Sequence, residues 1–478
     1  MKLKRSHLLA PLGLAVVLGG CAVGPDYQRP AFEAPPQFRH AEGWKAATPA
    51  DEAERGAWWR LYGDQELNAL VEQLNLDNQN LAASESQYRQ ARALVRSARA
   101  SFYPSLGANA GMTRSGGGGG VSGQEAVGQN YDLGLNLAWE LDIWGRLRRN
   151  LEASDAEFQA SAAELAALRL SLQGELVRNY LQLRVLDEQS RLLERTVQAY
   201  QRSLKLTENQ YRAGIAPRSD VTQAITQLRG TEAQRVDLQW QRAQLEHAIA
   251  VLIGKTPAEL AIVARNGWPA LPQVPPALPS ELLERRPDVA AAERRVMAAN
   301  ARIGVARAAW FPSLSLSAGG GYRGASFADW IELPNRYWSV GPQLALTLFD
   351  GGARSAEDER VAAVYDGTVA NYRQTVLIGF REVEDALIQL QVLEREAVIQ
   401  QQALEAAQET QRLVENQYKA GMLDYLNVAS AQATALSSER TRLTLEGNRL
   451  LASVQLITAL GGGWEPAAPA GEAGGASN

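Results

Sequence analysis

Residues 131–142 read Tyr131-Asp132-Leu133-Gly134-Leu135-Asn136-Leu137-Ala138-Trp139-Glu140-Leu141-Asp142. Large apolar side chains stand at every odd position, and the even positions carry polar or small ones. Successive side chains of a strand point to opposite sides, so this period of two predicts a strand with one apolar and one polar face. The pattern returns as Trp338, Val340, Pro342, Leu344, Leu346 and Leu348 against Ser339, Gly341, Gln343, Ala345 and Thr347. Weaker alternation around Leu106, Ala108, Leu314, Leu316 and Tyr322 supplies a partner for each, which predicts hairpins over 105–144 and 313–349.

Both faces need a neighbour. Four strands are too few to build a second sheet over the apolar face, as a soluble sandwich would require. A transmembrane barrel turns that face to lipid and the other to a water-filled lumen, with aromatic belts at the rims. Trp139, Trp144, Trp310, Trp330 and Trp338 fall in or beside the strands and are the candidate belt residues. Bacterial barrels begin at about eight strands, so the barrel must be shared between chains, a dimer or a trimer by this arithmetic.

Outward from the strands, the chain repeats itself. Glu208-Asn209-Gln210-Tyr211-Arg212-Ala213-Gly214 recurs as Glu415-Asn416-Gln417-Tyr418-Lys419-Ala420-Gly421, identical at six of seven positions and 207 residues later. At almost the same offset Arg99-Ala100-Ser101-Phe102-Tyr103-Pro104-Ser105-Leu106 returns as Arg307-Ala308-Ala309-Trp310-Phe311-Pro312-Ser313-Leu314. Motifs in one order at one spacing mean a tandem duplication, 64–254 and 281–461. Residues 255–280, with five prolines between 261 and 280, read as the linker, and 462–478 as a tail rich in Ala, Gly and Pro.

Each repeat reads as helix, hairpin, long helix, turn, helix. Stretch 146–213 has no proline and one glycine, and at 1.5 Å per residue it makes a helix of roughly 100 Å. Leu151, Phe158, Leu165 and Leu172, then Leu186, Leu193 and Tyr200, recur every seven residues, the spacing of coiled-coil packing. A matching stretch covers 353–420. Shorter helices are predicted over 64–102 and 218–253, and they together equal one long helix, so the strands lie at one end of a rod and the two Gly turns at the other.

The N-terminus carries Lys2, Lys4 and Arg5, then an apolar run from Leu8 to Gly20 that is too short to span a bilayer. It ends in Leu18-Gly19-Gly20-Cys21, which resembles a lipobox: residues 1–20 would be a cleaved signal and Cys21 the lipidated start of a segment 21–63. Cys21 is the chain's one cysteine, so no intrachain disulfide exists. A net charge of −5 argues against a nucleic-acid partner. Three histidines, His7, His40 and His247, leave little for a transition-metal site. Gly254-Lys255-Thr256 mimics the end of a phosphate loop, but Ile249 stands where its first glycine belongs. No serine sits in a Gly-x-Ser-x-Gly elbow. No catalytic residue or cofactor other than the covalent lipid is expected.

The duplication, the lipobox, Leu282-Leu283-Glu284-Arg285-Arg286-Pro287-Asp288, Ile303-Gly304 with Phe311-Pro312, the paired Tyr-x-x-Gly turns and Ala459-Leu460-Gly461-Gly462-Gly463-Trp464 resemble the outer-membrane factor family. The likeness is to TolC-related proteins, in the lipoprotein branch of OprM and NodT type. It implies mixed α and transmembrane β architecture: a homotrimer with a twelve-stranded barrel, four strands per subunit, continued by a periplasmic α-helical barrel. It implies the exit duct of a tripartite efflux system in the outer membrane of a Gram-negative bacterium, serving a periplasmic adaptor protein and an inner-membrane transporter of the resistance-nodulation-division type. An exit duct for type I secretion, or a lipid-anchored coiled-coil scaffold without a pore, are the alternatives.

The resemblance also implies a gate at the turns. Aligning Tyr-x-x-Gly puts Asp220 at the acidic position of a polar latch and Tyr418 at its tyrosine. Asn427 and Ser430 stand where relatives carry ring aspartates. Asp424 is then the candidate selectivity residue, Leu423 an apolar constriction beside it, and Gly214 and Gly421 mark the adaptor-contact turns. The alternative is that Asp220 and Asp424 cap the helices that follow them.

Overall fold

The computed structural model describes residues 22–31, 56–117, 126–269, 271–272 and 286–462. Cys21, the signal 1–20, and most of the linker and tail lie outside the described residues. The regular elements are α1 (Gln65–Asp77), α2 (Gln79–Ala100), β1 (Ser105–Gly117), β2 (Ala126–Leu141), α3 (Arg146–Arg212) and α4 (Arg218–Leu252), then α5 (Pro287–Ala308), β3 (Ser313–Gly324), β4 (Arg336–Ala345), α6 (Ala353–Lys419) and α7 (Tyr425–Ala459). Corresponding helices match in length: α3 and α6 have 67 residues each, α4 and α7 have 35, α2 and α5 have 22.

The chain forms two compact units. One holds residues 22–31, Ser86–Ala162 and Ala291–Arg373, and so all four strands. These make one antiparallel sheet in the order β1-β2-β3-β4, with Leu106 opposite Leu137, Leu137 opposite Ala318 and Ala318 opposite Val340. β4 stops at Ala345, short of the 349 that alternation suggested, because its partner β3 begins at Ser313 and the preceding Pro312 has no N–H to continue the ladder. Strand β2 likewise ends at Leu141, so Trp144 lies in the link to α3.

The second unit is built on the other parts of the helices. Its core joins Trp58, Tyr62, Leu67, Val71 and Leu74 to Leu176, Tyr180, Leu181 and Leu183 of α3, Ile249 of α4 and Leu450 and Val454 of α7. Here α3 is buried over most of its circumference, with only Arg178, Asn179 and Gln182 half-buried between Leu176 and Asp187, so its buried residues outrun a single stripe and the seven-residue pattern lapses at Asn179. On either side of this stretch Leu172, Leu186, Leu193 and Tyr200 are buried in register, whereas Leu151, Phe158 and Leu165 are half-buried.

The expected helix 64–102 is two helices. Asp64 caps the first through Oδ1, which accepts from the N–H groups of Glu66 and Leu67 at 2.9 and 3.1 Å. The break falls at Asn78, extended at ψ 123°. Its Oδ1 accepts from Leu81 N at 3.0 Å and its Nδ2 donates to Leu252 O at 2.7 Å, so one side chain caps the new helix and satisfies the end of α4. Asn78→Ala loses both bonds at a buried position and should lower stability by about 2 kcal/mol, and Asn78→Asp, which keeps the cap but sets a buried carboxylate oxygen against Leu252 O, should lower it at least as much; urea unfolding of the two variants measures this.

Candidate functional site

In the strand-bearing unit the two faces of the sheet separate cleanly. Leu106, Met112, Leu133, Leu135, Trp338, Val340 and Leu344 share one face, and each is exposed in the isolated chain. From Tyr131 to Leu141 this face spans about 34 Å of strand, which at the tilt of a barrel gives a band of roughly 26 Å, the height of a lipid-facing girdle. The opposite face carries Ser105, Asn109, Asp132, Asn136, Glu140, Ser315, Ser317, Tyr337 and Gln343. Among described helices none is long and apolar enough to cross a membrane.

The sequence-predicted tryptophans divide into two sets. Trp139 donates from its indole to Phe102 O at 2.9 Å, Trp144 to Pro312 O at 2.8 Å while stacking on Phe311, and Trp310 to Asp358 at 2.7 Å with the Arg354 guanidinium over its ring. All three sit where strands meet helices. Trp338 stands near the other end of the sheet, 74% exposed. There Trp330 clusters with Tyr131 and Phe327, ring centroids 5.4 to 6.3 Å apart. Tyr131 reads in the sequence only as one residue of the apolar face, and Phe327 lies between the two alternating stretches, so neither stands out there as a member of this group.

Residues 22–31 dock beside the strand–helix junction. Val23 N donates to Trp144 O at 3.0 Å, Asn300 Nδ2 to Pro25 O at 3.0 Å, and the buried Arg149 pairs with Asp26 at 2.8 Å. The chain that follows Cys21 is thus tied to the base of the sheet.

The second unit holds both Gly turns. Gly214 and Gly421 have φ of 75° and 76°, the left-handed conformation that ends a helix without a Cβ clash. Ile215 N bonds Gln210 O at 2.8 Å and Met422 N bonds Gln417 O at 3.0 Å, the same wide turn twice. The duplicated tyrosines nevertheless part company. Tyr211 is 45% exposed, whereas Tyr418 is buried with Ala224, Tyr425, Val428 and Ala429. The Tyr418 and Tyr425 rings meet edge to face at 5.7 Å.

The expected latch between Asp220 and Tyr418 is not formed within the chain. Tyr418 Oη lies 3.1 Å from Thr207 Oγ1. Thr207 has one hydroxyl proton, which goes to Ser203 O at 3.1 Å, so the phenol is the donor. Asp220 instead takes a bond from Ser219. Its side chain sits in the first turn of α4, whose N-cap is Pro217, and from there it reaches the tyrosines only by its field. Asp424 does occupy the N-cap of α7, but its carboxylate makes no capping bond and is exposed. The capping alternative therefore fails for Asp424 as well. Leu423 beside it is half-buried, Asn427 exposed, and Met422 and Leu426 are 66% and 68% exposed. Thr207 and Tyr425, which the sequence did not single out, complete the buried site; the exposed residues of the turn include Asp424.

Burial, with the Asp220 charge adding to it, pushes the Tyr418 and Tyr425 phenols above the usual tyrosine value. The folded state then binds these protons more tightly than the unfolded chain. Their contribution is whole below the unfolded value of about 10 and is lost as pH rises through the folded ones. Stability should be flat between about pH 6 and about pH 9 as far as these groups contribute and fall above about pH 10, with tyrosinate absorbance appearing together with unfolding. Tyr418→Phe should cost about 1 kcal/mol, because Thr207 keeps its bond to Ser203.

Among the described residues no group of three or more His, Cys, Asp or Glu could hold a metal ion. The model of the outer membrane efflux protein family matches residues 70–255 and 278–462. The cation efflux system protein CusC of Escherichia coli is 31% identical over 464 residues, covering 96% of this chain and 99% of the relative. The pyoverdine export outer membrane protein OpmQ of Pseudomonas aeruginosa is 32% identical over 466 residues, covering 96% and 97%. The solved structure of the outer-membrane channel OprN superposes with a TM-score of 0.84 at 34% identity, over 93% of this chain and all of that one. With four strands and paired long helices matching an outer-membrane channel along nearly their whole length, the chain belongs to the outer membrane efflux protein family.

Proposed function

We propose that this protein is the outer-membrane exit duct of a tripartite efflux system: a passive, gated conduit, not an enzyme, for toxic small molecules. The observation that carries the reading is the sheet, apolar and exposed on one side, polar and hydrogen-bonded on the other. A lipid-tethered scaffold has no use for such a surface. Among the described residues both sheet edges, β1 and β4, are unpaired, and a lipid-embedded edge must find a partner. The face of α6 that carries Leu377, Ile388, Val392, Ile399 and Leu413 is also exposed, all five falling within about 60° of the helical wheel, as a surface awaiting another helix does. Three copies, the number the sequence resemblance implies, then close twelve strands. Trp139, Trp144, Trp310 and Trp338 belong to the aromatic belts of that barrel.

The relatives named for cation efflux and pyoverdine export carry unlike cargo, which fits a conduit without a dedicated binding pocket. Energy then comes from an inner-membrane transporter, linked through a periplasmic adaptor that engages the turns at Gly214 and Gly421. At these turns Asp424, with Leu423, Asn427 and the buried Thr207–Tyr418 contact, forms the gate. Cys21 carries the lipid that anchors the N-terminal segment.

Membranes expressing the protein should yield a heat-modifiable, SDS-resistant trimer that conducts in planar bilayers, and a lipid-free monomer would refute the duct. Deleting the gene should raise sensitivity to amphipathic toxic compounds. Asp424→Ala should increase conductance and reduce cation preference with the trimer intact. Cys21→Ser should abolish acyl labelling while the trimer persists.

A further inference from the structure

Side chains from all four strands converge on the polar face of the sheet. Asp132 of β2 accepts from Asn109 Nδ2 of β1 at 2.5 Å, from Arg323 Nε of β3 at 3.2 Å and from the Tyr337 hydroxyl of β4 at 3.4 Å. Asn136 Nδ2 donates to Asn109 Oδ1 at 2.7 Å, and the Arg323 guanidinium lies 4.9 Å from the Tyr337 ring centroid. The pairing register sets Asn109, Gly134, Gly321 and Tyr337 in one row across the sheet. A Cβ at Gly134 would stand 2.6 Å from Tyr337 Oη and 3.0 Å from Asn109 Oδ1. Only a glycine there lets the phenol lie along the row and hold the arginine down on Asp132.

This arrangement has an electrostatic consequence. Between the rows of Tyr131 and Leu141, the charged residues on the polar face are Asp132, Arg323 and Glu140 among the described strand residues. Glu140 is matched by Arg146, with contacts of 2.6 and 2.9 Å. Asp132 is matched by Arg323 at 3.2 Å. Each charge on the wall is thus cancelled by its neighbour, and a pair at contact distance has a field that dies away much faster than that of a lone charge. A lone charge in a narrow low-dielectric cleft would instead focus its field on whatever passes.

We propose that Asp132 and Arg323 form a charge-cancelling ring that leaves the barrel lumen indifferent to the sign of its cargo, with Asn109, Gly134 and Tyr337 as the positioning residues. The proposal rests on the barrel reading above, in which this face lines the lumen. The two partners are unequal: the Arg323 side chain is 59% exposed and that of Asp132 only 17%. Removing the acid therefore uncovers an exposed cation, whereas removing the cation leaves a carboxylate still held by Asn109 and Tyr337.

Reversal potentials of single channels in planar bilayers under a KCl gradient test the ring. Asp132→Asn should raise the chloride-to-potassium permeability ratio by about twofold or more near 0.1 M salt, where the Debye length of about 10 Å still lets the field reach into the adjacent water. Arg323→Gln should shift the ratio the opposite way and by less. The double variant should return to wild type, and Arg323→Lys should stay there. Single variants with wild-type selectivity, or a double variant that keeps either shift, would overturn the ring. If Asp132→Asn fails to assemble as a heat-modifiable oligomer, the Arg323→Gln shift and its absence in Arg323→Lys decide alone. Wild-type protein that forms no channel would sink the barrel reading instead, which separates the two failures.

Discussion

A backbone N–H or C=O in hydrocarbon has no water to turn to, and the fold is arranged around that constraint. The strand-bearing unit offers a single sheet of four strands with two open edges and an exposed apolar face. Such a sheet is unstable alone, in water because of its leucines and tryptophan, in lipid because of its edges. Association and membrane insertion answer both problems together, so in the proposed assembly neither precedes the other as an independent property. The polar face depends less on closure: Asp132, Asn109, Arg323 and Tyr337 already bond to one another across the strands of one chain, with the Arg323 side chain left exposed to water.

The long helices solve a different problem. A 67-residue helix cannot rely on propensity, and each of the two gains its stability from being packed. Where α3 meets the segment around Trp58, Tyr62 and Leu67 it is buried over most of its circumference, and Tyr180 there donates to Asp64 at 2.7 Å while Tyr62 meets Ser453 at 2.8 Å. Where cover is lacking, as along α6, apolar residues stay exposed in the single chain. The duplicated helices thus have equal lengths and unequal surroundings.

The two turns show that inequality at its sharpest. One heptapeptide, repeated at six of seven positions, gives the same backbone with glycine φ values one degree apart. Its tyrosine faces outward in the first copy and is buried in the second. Thr207 supplies the partner for Tyr418, and the corresponding residue of the second copy is Val414, which cannot bond to Tyr211. Of the two duplicated tyrosines only the second therefore has a buried hydroxyl partner.

Much of this molecule is local in origin and therefore legible in the chain. The period of two in 131–142 fixes the strand and its faces, because side-chain direction alternates whatever the neighbours are. The absence of proline fixes the extent of α3 and α6, and the Gly214 and Gly421 turns follow from a conformation that only glycine adopts cheaply. The break at Asn78 escaped because it depends on Leu252 O, far off in sequence. Position in a motif pairs Asp220 with Tyr418, yet hydrogen bonds form between atoms a few ångströms apart, and only packing brings Thr207 rather than Asp220 to the phenol. The cluster of Asn109, Asp132, Arg323 and Tyr337 is equally hidden: each residue is ordinary in its own strand, and the register of three strand pairs, which no single strand encodes, is what sets them side by side.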